Sequence, residues 1–398
     1  MTWERVRANP MFDFDTPLSR AGTHAEKYTA RKRLFGRDDI LPFWVADMEF
    51  AVPPAIREAL AARVRHPVYG YTSIPESLLN AITSWNAGRC NPALPDKAVT
   101  LVPGVMAGVS AAICALSDPG DSIVVQPPVY PPLLHSVRQN GRQLLENPLI
   151  VREGLYQVDF ADLERLFQLH QPKILLFCSP HNPVGRVWTR DELVRLVRLA
   201  ERYNVCLVSD EIHADIVFPP HAHVSALSVA AEKNSRIIVL SSASKSFNVA
   251  GLNTAYALIP DPEFHASFRR QLRRMNLHGV NLFGMIALEA AYSQGEEWLQ
   301  ALLLYLHTNR QLMTETLSSE LPGLQHFIPQ GTYLYWLNFN SLGLTAPRIK
   351  EKLIADAGVG LNDGITFSRA AEGFWRFNFA VPRSMLEQGL EKIVRAFQ

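Results

Sequence analysis

Four short stretches of this 398-residue chain carry polar residues suited to chemistry, and each lies next to an apolar run. KILLFC (173–178) is followed by SPHNPVG, which contains Asn182. VCLVSD (205–210) ends on Asp210 and leads into EIHAD. RIIVL (236–240) is followed by SSASKS, with Lys245 among four serines. Ahead of SIVVQ (122–126), TLVPGVMAGVSAAICAL reads as a turn at Pro103–Gly104 that opens a helix. A lysine amine can form a Schiff base or move a proton. A carboxylate can face a cation, an amide can donate a hydrogen bond, and a bare helix N-terminus can hold an anion. Each residue also has an ordinary reading when taken singly. Lys245 would be surface charge, Asp210 a helix N-cap, and Asn182 part of an Asn-Pro turn.

The elements around these stretches turn them into a set. The four apolar runs have the continuous hydrophobicity of strands buried on both faces. Between two of them, TRDELVRLVRLAERYN begins with a capping box, Thr189 and Glu192, and repeats Leu193, Leu196, Val197 and Ala200 at helical spacing. This βαβ pattern predicts an α/β fold, a mostly parallel sheet between helices. In such a sheet ligands bind beyond the carboxyl ends of the strands, which is where the polar residues lie. From about residue 289 the pattern changes. A helix over 296–317, the strand GTYLYWLNF, a helix near 347–357, a strand over 374–379 and a last helix from 384 predict a smaller α+β domain. Residues 1–50 have weak periodicity and are expected to wrap across that domain or a partner subunit. The expected organisation is an N-terminal segment (1–50) joining the small domain, a large cofactor-binding domain (51–288) and a small C-terminal domain (289–398).

Bulk properties exclude several classes. The chain is 47% hydrophobic and 19% charged, with 39 basic against 38 acidic residues and a formal net charge of +1. RKR (31–33) is its longest basic run and reads as a solvated face, so no nucleic-acid partner is expected. No apolar run approaches the roughly 18–20 residues of a membrane span. MTWERVRANPMFDFD has no apolar signal-peptide core, and Cys90, Cys114, Cys178 and Cys206 form no C-x-x-C pair. A cytoplasmic, reducing compartment is the expectation. His221 and His223 form an H-x-H with no evident third ligand, so no metal is expected.

One cofactor requires this combination of groups. Pyridoxal 5′-phosphate needs a lysine amine for its Schiff base and a carboxylate facing its pyridinium nitrogen. It also needs a donor to its phenolate oxygen and a phosphate cup of helix-terminal N–H groups. Lys245, Asp210, Asn182 and the Gly104–Val105–Met106 turn with Ser242 supply these. In their order, and in the 28 positions from Asn182 to Asp210, they resemble the fold-type I, class I/II aminotransferase superfamily. LPFWVADMEF, VYGYTS, CSPHNPVGRVWTRDEL, VSDEIHADIVF, SSASKSFNVAGL and IPQGTYLYWLNF are similar to the MalY/PatB-type C–S lyases, the group of cystathionine β-lyase and cystalysin.

The resemblance implies roles. Lys245 holds the cofactor and, once released, takes the Cα proton. Asp210 pairs with the pyridinium nitrogen and Asn182 bonds the phenolate oxygen. Tyr130 in PPVYPP stacks on the ring. Val105, Met106 and Ser242 bind the phosphate, with Ser244 a weaker candidate. Tyr71 reaches a phosphate in the neighbouring subunit, which makes the site shared and the protein a homodimer. Arg376, in the Arg-x-Asn pattern of FWRFNFA, takes the substrate carboxylate, and Ala46 in LPFWVADMEF lines the substrate position. His213 stands where many aminotransferases have a second phenolate donor, and a packed or surface histidine explains it about equally well. Two departures stand out. Asn253 occupies the place of a phosphate-binding arginine found in many amino-group transferases. EKYT (26–29) replaces the Glu-Lys-Trp-Asp of many lyases, which bears on entrance shape.

Three functions remain open on this reading. The preferred one is a PLP-dependent β-lyase cleaving L-cystathionine, L-cysteine or cysteine S-conjugates to a thiol, pyruvate and ammonia. The second is an aminotransferase using an L-amino acid and a 2-oxo acid. The third is a regulatory protein that binds a partner through this fold.

Overall fold

Strands rich in Val, Ile and Leu, with no polar face, must be covered on both sides, and the central sheet meets that demand. The structure, a computed structural model, describes residues 12–87, 89, 93–230, 236–277 and 279–398. Cys90 and residues 1–11 of the N-terminal stretch lie outside the described residues. The described chain divides into two compact units. The larger comprises Val52–His181 and Arg186–Glu297. The smaller comprises the described part of Met1–Ala51, together with Asn182–Gly185 and Trp298–Gln398. Residue 289 falls inside the helix Leu282–Gln294, so the change of pattern in the sequence precedes the division between units.

The larger unit is built on seven strands: β1 (Val99–Val102), β2 (Ser122–Val125), β3 (Gln143–Glu146), β4 (Ile174–Cys178), β5 (Cys206–Asp210), β6 (Ile237–Ser241) and β7 (Ala255–Leu258). Their order across the sheet is β1-β7-β6-β5-β4-β2-β3. Strand β7 runs antiparallel to both neighbours, and the other pairs are parallel. Every residue of β4, β5 and β6 is buried. The helices Val105–Leu116 and Pro131–Gln139 pack on the core formed by Ile123, Val125, Ile174, Leu176, Val208, Ile238 and Leu240. Helix Arg190–Arg202 starts at the expected capping box. Thr189 Oγ1 accepts from Glu192 N at 3.2 Å, and Thr189 N donates to Glu192 Oε2 at 2.7 Å.

The smaller unit holds a four-stranded sheet of β8 (Gln325–Phe327), β9 (Leu334–Asn338), β10 (Asn362–Asp363) and β11 (Phe374–Asn378), in the order β8-β9-β11-β10. The pairings are antiparallel. Two helices of this unit fall where the sequence places them, Glu296–Glu320 and Arg383–Phe397. The expected helix near 347–357 is Ala346–Glu351, continued by a wider π turn over Lys352–Asp356. Among the described residues no helix is long and apolar enough to cross a membrane.

One close approach in the larger unit supports the lysine loop. Gly284 lets helix Leu282–Gln294 lie against Leu252 and Thr254. A Cβ there would overlap Thr254 Oγ1 and come within 2.8 Å of both Thr254 Cβ and the Leu252 carbonyl oxygen. In an open helix, Gly→Ala stabilises by about 1 kcal/mol. Overpacking against a backbone carbonyl costs about 1–3 kcal/mol, so the clash wins here. Gly284→Ala is therefore expected to lower the thermal midpoint by a few degrees. A raised midpoint in a calorimetric scan would show that the approach is not constraining.

Candidate active site

Parallel pairing sets the strand ends level. Cys178 of β4 pairs with Asp210 of β5, and Asp210 pairs with Leu240 of β6. Ser179 N donates to the Asp210 carbonyl at 2.9 Å, and Glu211 N donates to the Leu240 carbonyl at 2.8 Å. Asp210 is thus the last residue of β5, and Lys245 lies four residues past the end of β6 on a single helical turn, Ala243–Ser246. Ser242 shapes that turn. Its Oγ accepts from Ser244 N at 3.0 Å and donates to Thr254 O at 2.7 Å. The hydroxyl proton of Ser242 is thus directed at a carbonyl, and a phosphate contact would need it to rotate. Ser244 is half-buried on the same turn.

A residue outside the sequence-derived set anchors the turn from the far side. Ser246 Oγ donates to Asp215 Oδ2 at 2.7 Å, and Trp85 Nε1 donates to Asp215 Oδ1 at 3.0 Å. One loop, DEIHAD, therefore carries both Asp210 and the anchor of the lysine turn. In the same loop His213 is buried, 2% exposed, which removes the surface reading but leaves its contact with a cofactor a matter of proposal.

Asp210 is 6% exposed. Burial pushes its carboxyl up to about 6, against the pull of the Ile212 N–H at 3.2 Å and the charge of Lys245, with Glu211 pushing further up. A carboxyl so placed carries its charge at a cost that a facing cation relieves. A protonated pyridine nitrogen is such a cation.

The candidate phosphate end is built on a helix N-terminus. Gly104, at φ +97°, is the N-cap of helix Val105–Leu116; it has no side-chain cap, and the first turn holds no acidic residue. No atom would obstruct a Cβ there, so glycine serves the backbone angle. The N–H groups of Val105 and Met106 open that helix, a fit for a phosphate. Tyr130 caps helix Pro131–Gln139 and packs partly buried against the core. Its loop is braced by His181, whose Nε2–H donates to Pro128 O at 2.9 Å. Burial pulls the His181 imidazole down to about 4, so it is neutral at pH 7. Tyr71 is fully exposed in the single chain. Asn253 lies exposed in a left-handed turn, φ +47°, at the end of Ala250–Leu252.

The smaller unit carries the carboxylate-binding candidates. Arg376 is 4% exposed on β11. Its Nη1 donates to Asn182 Oδ1 at 3.0 Å, and its Nη2 donates to Trp44 O at 2.9 Å and Asn362 Oδ1 at 2.5 Å. The Phe367 ring lies 4.9 Å from its guanidinium carbon. These acceptors are neutral, so they orient the fork without cancelling its charge. They also fix Asn182, which is buried. With its amide oxygen turned to Arg376, its NH2 end is the one offered elsewhere, as a phenolate donor must be. Ala46 is held through its carbonyl by Tyr333 OH at 3.0 Å. Asn378, two residues from Arg376 and on the same face of β11, donates to Val45 O and Asp47 O at 2.6 and 2.7 Å. Tyr28, at the departure from the lyase pattern, lines a cleft of about 670 Å³ with Arg20, His24 and Arg31.

Other candidates have structural tasks. His223 Nε2 lies 3.0 Å from Glu211 Oε2, and Glu211 Oε1 accepts from Ser209 Oγ and Ala226 N. Asp215, His181 and Trp44 were not singled out from sequence. Asp215 had a signal in its place five residues after Asp210. The roles of His181 and of the Trp44 carbonyl depend on contacts made across many positions of chain.

Comparison with known proteins follows the same lines. Residues 38–393 match the family model for aminotransferase class I and II. Cystathionine β-lyase PatB of Bacillus subtilis is 39% identical over 386 residues, covering 96% of this chain and 99% of that protein. Protein MalY of Escherichia coli is 34% identical over 390 residues, covering 98% and 99%. Cystalysin from Treponema denticola, whose crystal structure contains pyridoxal 5′-phosphate, superposes with a TM-score of 0.93 at 29% identity, covering 97% of this chain and 98% of that one. The chain belongs to the class I and II aminotransferase family, among its PatB- and MalY-like, pyridoxal-phosphate-dependent carbon–sulfur lyases.

Proposed function

We propose that this protein cleaves the Cβ–S bond of L-cystathionine, L-cysteine or a cysteine S-conjugate, releasing a thiol, pyruvate and ammonia. The observation that carries this reading is the buried Asp210 carboxyl at the end of β5, level with the strand that leads to Lys245. When bound, pyridoxal 5′-phosphate supplies the electron sink that makes the substrate Cα–H bond acidic. Asp210 would keep the pyridine nitrogen protonated, Asn182 would donate to the phenolate oxygen, and Tyr130 would form a platform under the ring. Val105 and Met106 N–H groups would hold the phosphate, with the hydroxyl of Ser242 available only after rotation away from Thr254 O and that of Ser244 a weaker candidate.

The protein's own groups then divide the work. Arg376 grips the substrate carboxylate with charge-assisted hydrogen bonds of about 1.5–3 kcal/mol each. Lys245 Nζ takes the Cα proton, and the sulfur departs from Cβ as a thiolate. Asn253, at a place where an arginine would add an anion contact, supports the lyase reading over the aminotransferase one. The exposed Tyr71, among exposed Val68, Tyr69 and Ile74, supports a homodimer in which Tyr71 serves the neighbouring site. A cytoplasmic setting is part of the proposal, with Cys178 and Cys206 packed as buried apolar side chains.

Purified enzyme with L-cystathionine should release pyruvate and thiol without any 2-oxo acid. Product that appears only when a 2-oxo acid is supplied would overturn the lyase reading. Lys245→Ala should lose both pyruvate release and the absorbance band near ~420 nm. Arg376→Ala should raise KM roughly ten- to hundredfold.

Asp210 also sets a pH dependence. Its folded value near 6 lies above its ordinary 3.8, so the cofactor-free folded chain holds this proton more tightly than the unfolded chain. Stability therefore falls as pH rises from about 4 through 6, by at most about 3 kcal/mol. Cofactor-free Asp210→Asn should melt above the cofactor-free parent at pH 8 and level with it near pH 4. The same variant should bind pyridoxal phosphate more weakly. Equal melting at both pH values would show that the carboxyl is not strained by burial.

A further inference from the structure

The N-terminal part of the smaller unit contains a fully buried lysine that the reaction does not use. Lys27, in the short helix Glu26–Thr29, is 0% exposed. Its ammonium donates to Glu49 Oε1 at 2.8 Å and to Asp47 O at 3.1 Å, and lies 3.1 Å from Asp47 Oδ1. Arg20 Nη1 meets the same two acids, at 2.9 Å from Asp47 Oδ2 and 3.2 Å from Glu49 Oε1. Tyr28 OH donates to Glu49 Oε2 at 3.0 Å. Two cations and two carboxylates balance, which is the condition for burying such charges.

This clasp closes on one segment, Trp44–Asp47, whose four consecutive carbonyls are each taken by a side chain. Trp44 O accepts from Arg376, Val45 O from Asn378, Ala46 O from Tyr333, and Asp47 O from both Asn378 and Lys27. Trp44 Nε1 in turn donates to Lys27 O at 3.0 Å. The segment is thus bonded to strand β11 and to Tyr333, the residue ahead of β9, as well as to Lys27. Arg376 takes its orientation partly from a carbonyl whose own position depends on the clasp.

We propose that Lys27 is a positioning residue for the substrate carboxylate, fixing the Trp44–Asp47 segment so that the Trp44 carbonyl holds the Arg376 fork at the angle a carboxylate requires. This rests on the reading of Arg376 as the carboxylate-binding residue. A bidentate fork is sensitive to angle, so the loss appears in substrate binding more than in turnover. A lysine serving only to hold the fold would affect stability without acting through Arg376.

The test uses the holoenzyme and L-cystathionine. Lys27→Met alone leaves Glu49 and Asp47 facing Arg20, so the variant to measure is Lys27→Met with Glu49→Gln. It keeps Arg20 against Asp47 and still removes the ammonium from Asp47 O. The expected result is a KM at least tenfold higher with kcat changed less than about threefold. The same pair of changes placed in an Arg376→Ala background should leave KM where Arg376→Ala alone puts it. Lys27→Arg should recover part of the affinity. An unchanged KM, or an increase of the same size with and without Arg376, would overturn the proposal. If Arg376→Ala itself leaves KM unchanged, the carboxylate assignment of Arg376 fails first, and that outcome is separate from the other two.

Discussion

The level carboxyl ends of β4, β5 and β6 are the constraint on which the rest of the site depends. In a parallel sheet every strand leaves the core on the same side, so residues that follow three different strands arrive at one edge. The register of Cys178 with Asp210 and of Asp210 with Leu240 is what places the carboxyl beside the loop that carries the lysine. The burial that makes these strands stable is also what makes Asp210 a poor place for an isolated charge. One physical fact, a dry sheet interior, therefore supplies both the scaffold and the demand for a cationic partner.

At that edge the larger unit uses hydrogen bonds to reduce freedom rather than to add charge. Asp215 holds Ser246 and Trp85, Ser242 holds its own turn and Thr254, and His181 holds the loop of Tyr130. In the smaller unit Arg376 is oriented by an amide oxygen, a carbonyl and a second amide oxygen, none of which neutralises it. Preorganised polar groups of this kind need little rearrangement when charge develops on a bound molecule. The clasp of Lys27, Arg20, Asp47 and Glu49 extends the same logic to the N-terminal segment, where balanced charge is spent on the position of a backbone carbonyl.

Much of this was legible along the chain. Continuous apolar runs announced the strands β2, β4, β5 and β6, and the Thr189–Glu192 box announced the start of its helix. The strands β1, β3 and β7 were not announced, because VTLV, QLLE and AYAL are short and carry no period that separates strand from helix. The wider π turn over Lys352–Asp356 has no sequence mark at all. Ser242 shows a different limit. Its place three residues before the lysine suggested a phosphate ligand, whereas its hydroxyl is directed at Thr254 O. A hydroxyl has one proton, and only the packing of neighbouring backbone decides where it goes.

The sequence by itself determined the chemical inventory: a lysine, a carboxylate, an amide, a glycine-opened helix and a late arginine, the first three placed at or just past the ends of predictable strands. Such features are local, since they depend on residue type and on spacing within a few turns of chain. Tertiary structure alone decided that the Asp210 carboxyl is buried enough for its charge to be stabilised by a facing cation. It alone joined Arg376 to Asn182 across 194 positions and to Trp44 across 332 positions. It also turned Lys27 from an ordinary lysine in EKYT into the centre of a buried clasp. Burial and long-range hydrogen bonds depend on which surfaces meet, and that is settled only when the chain is folded.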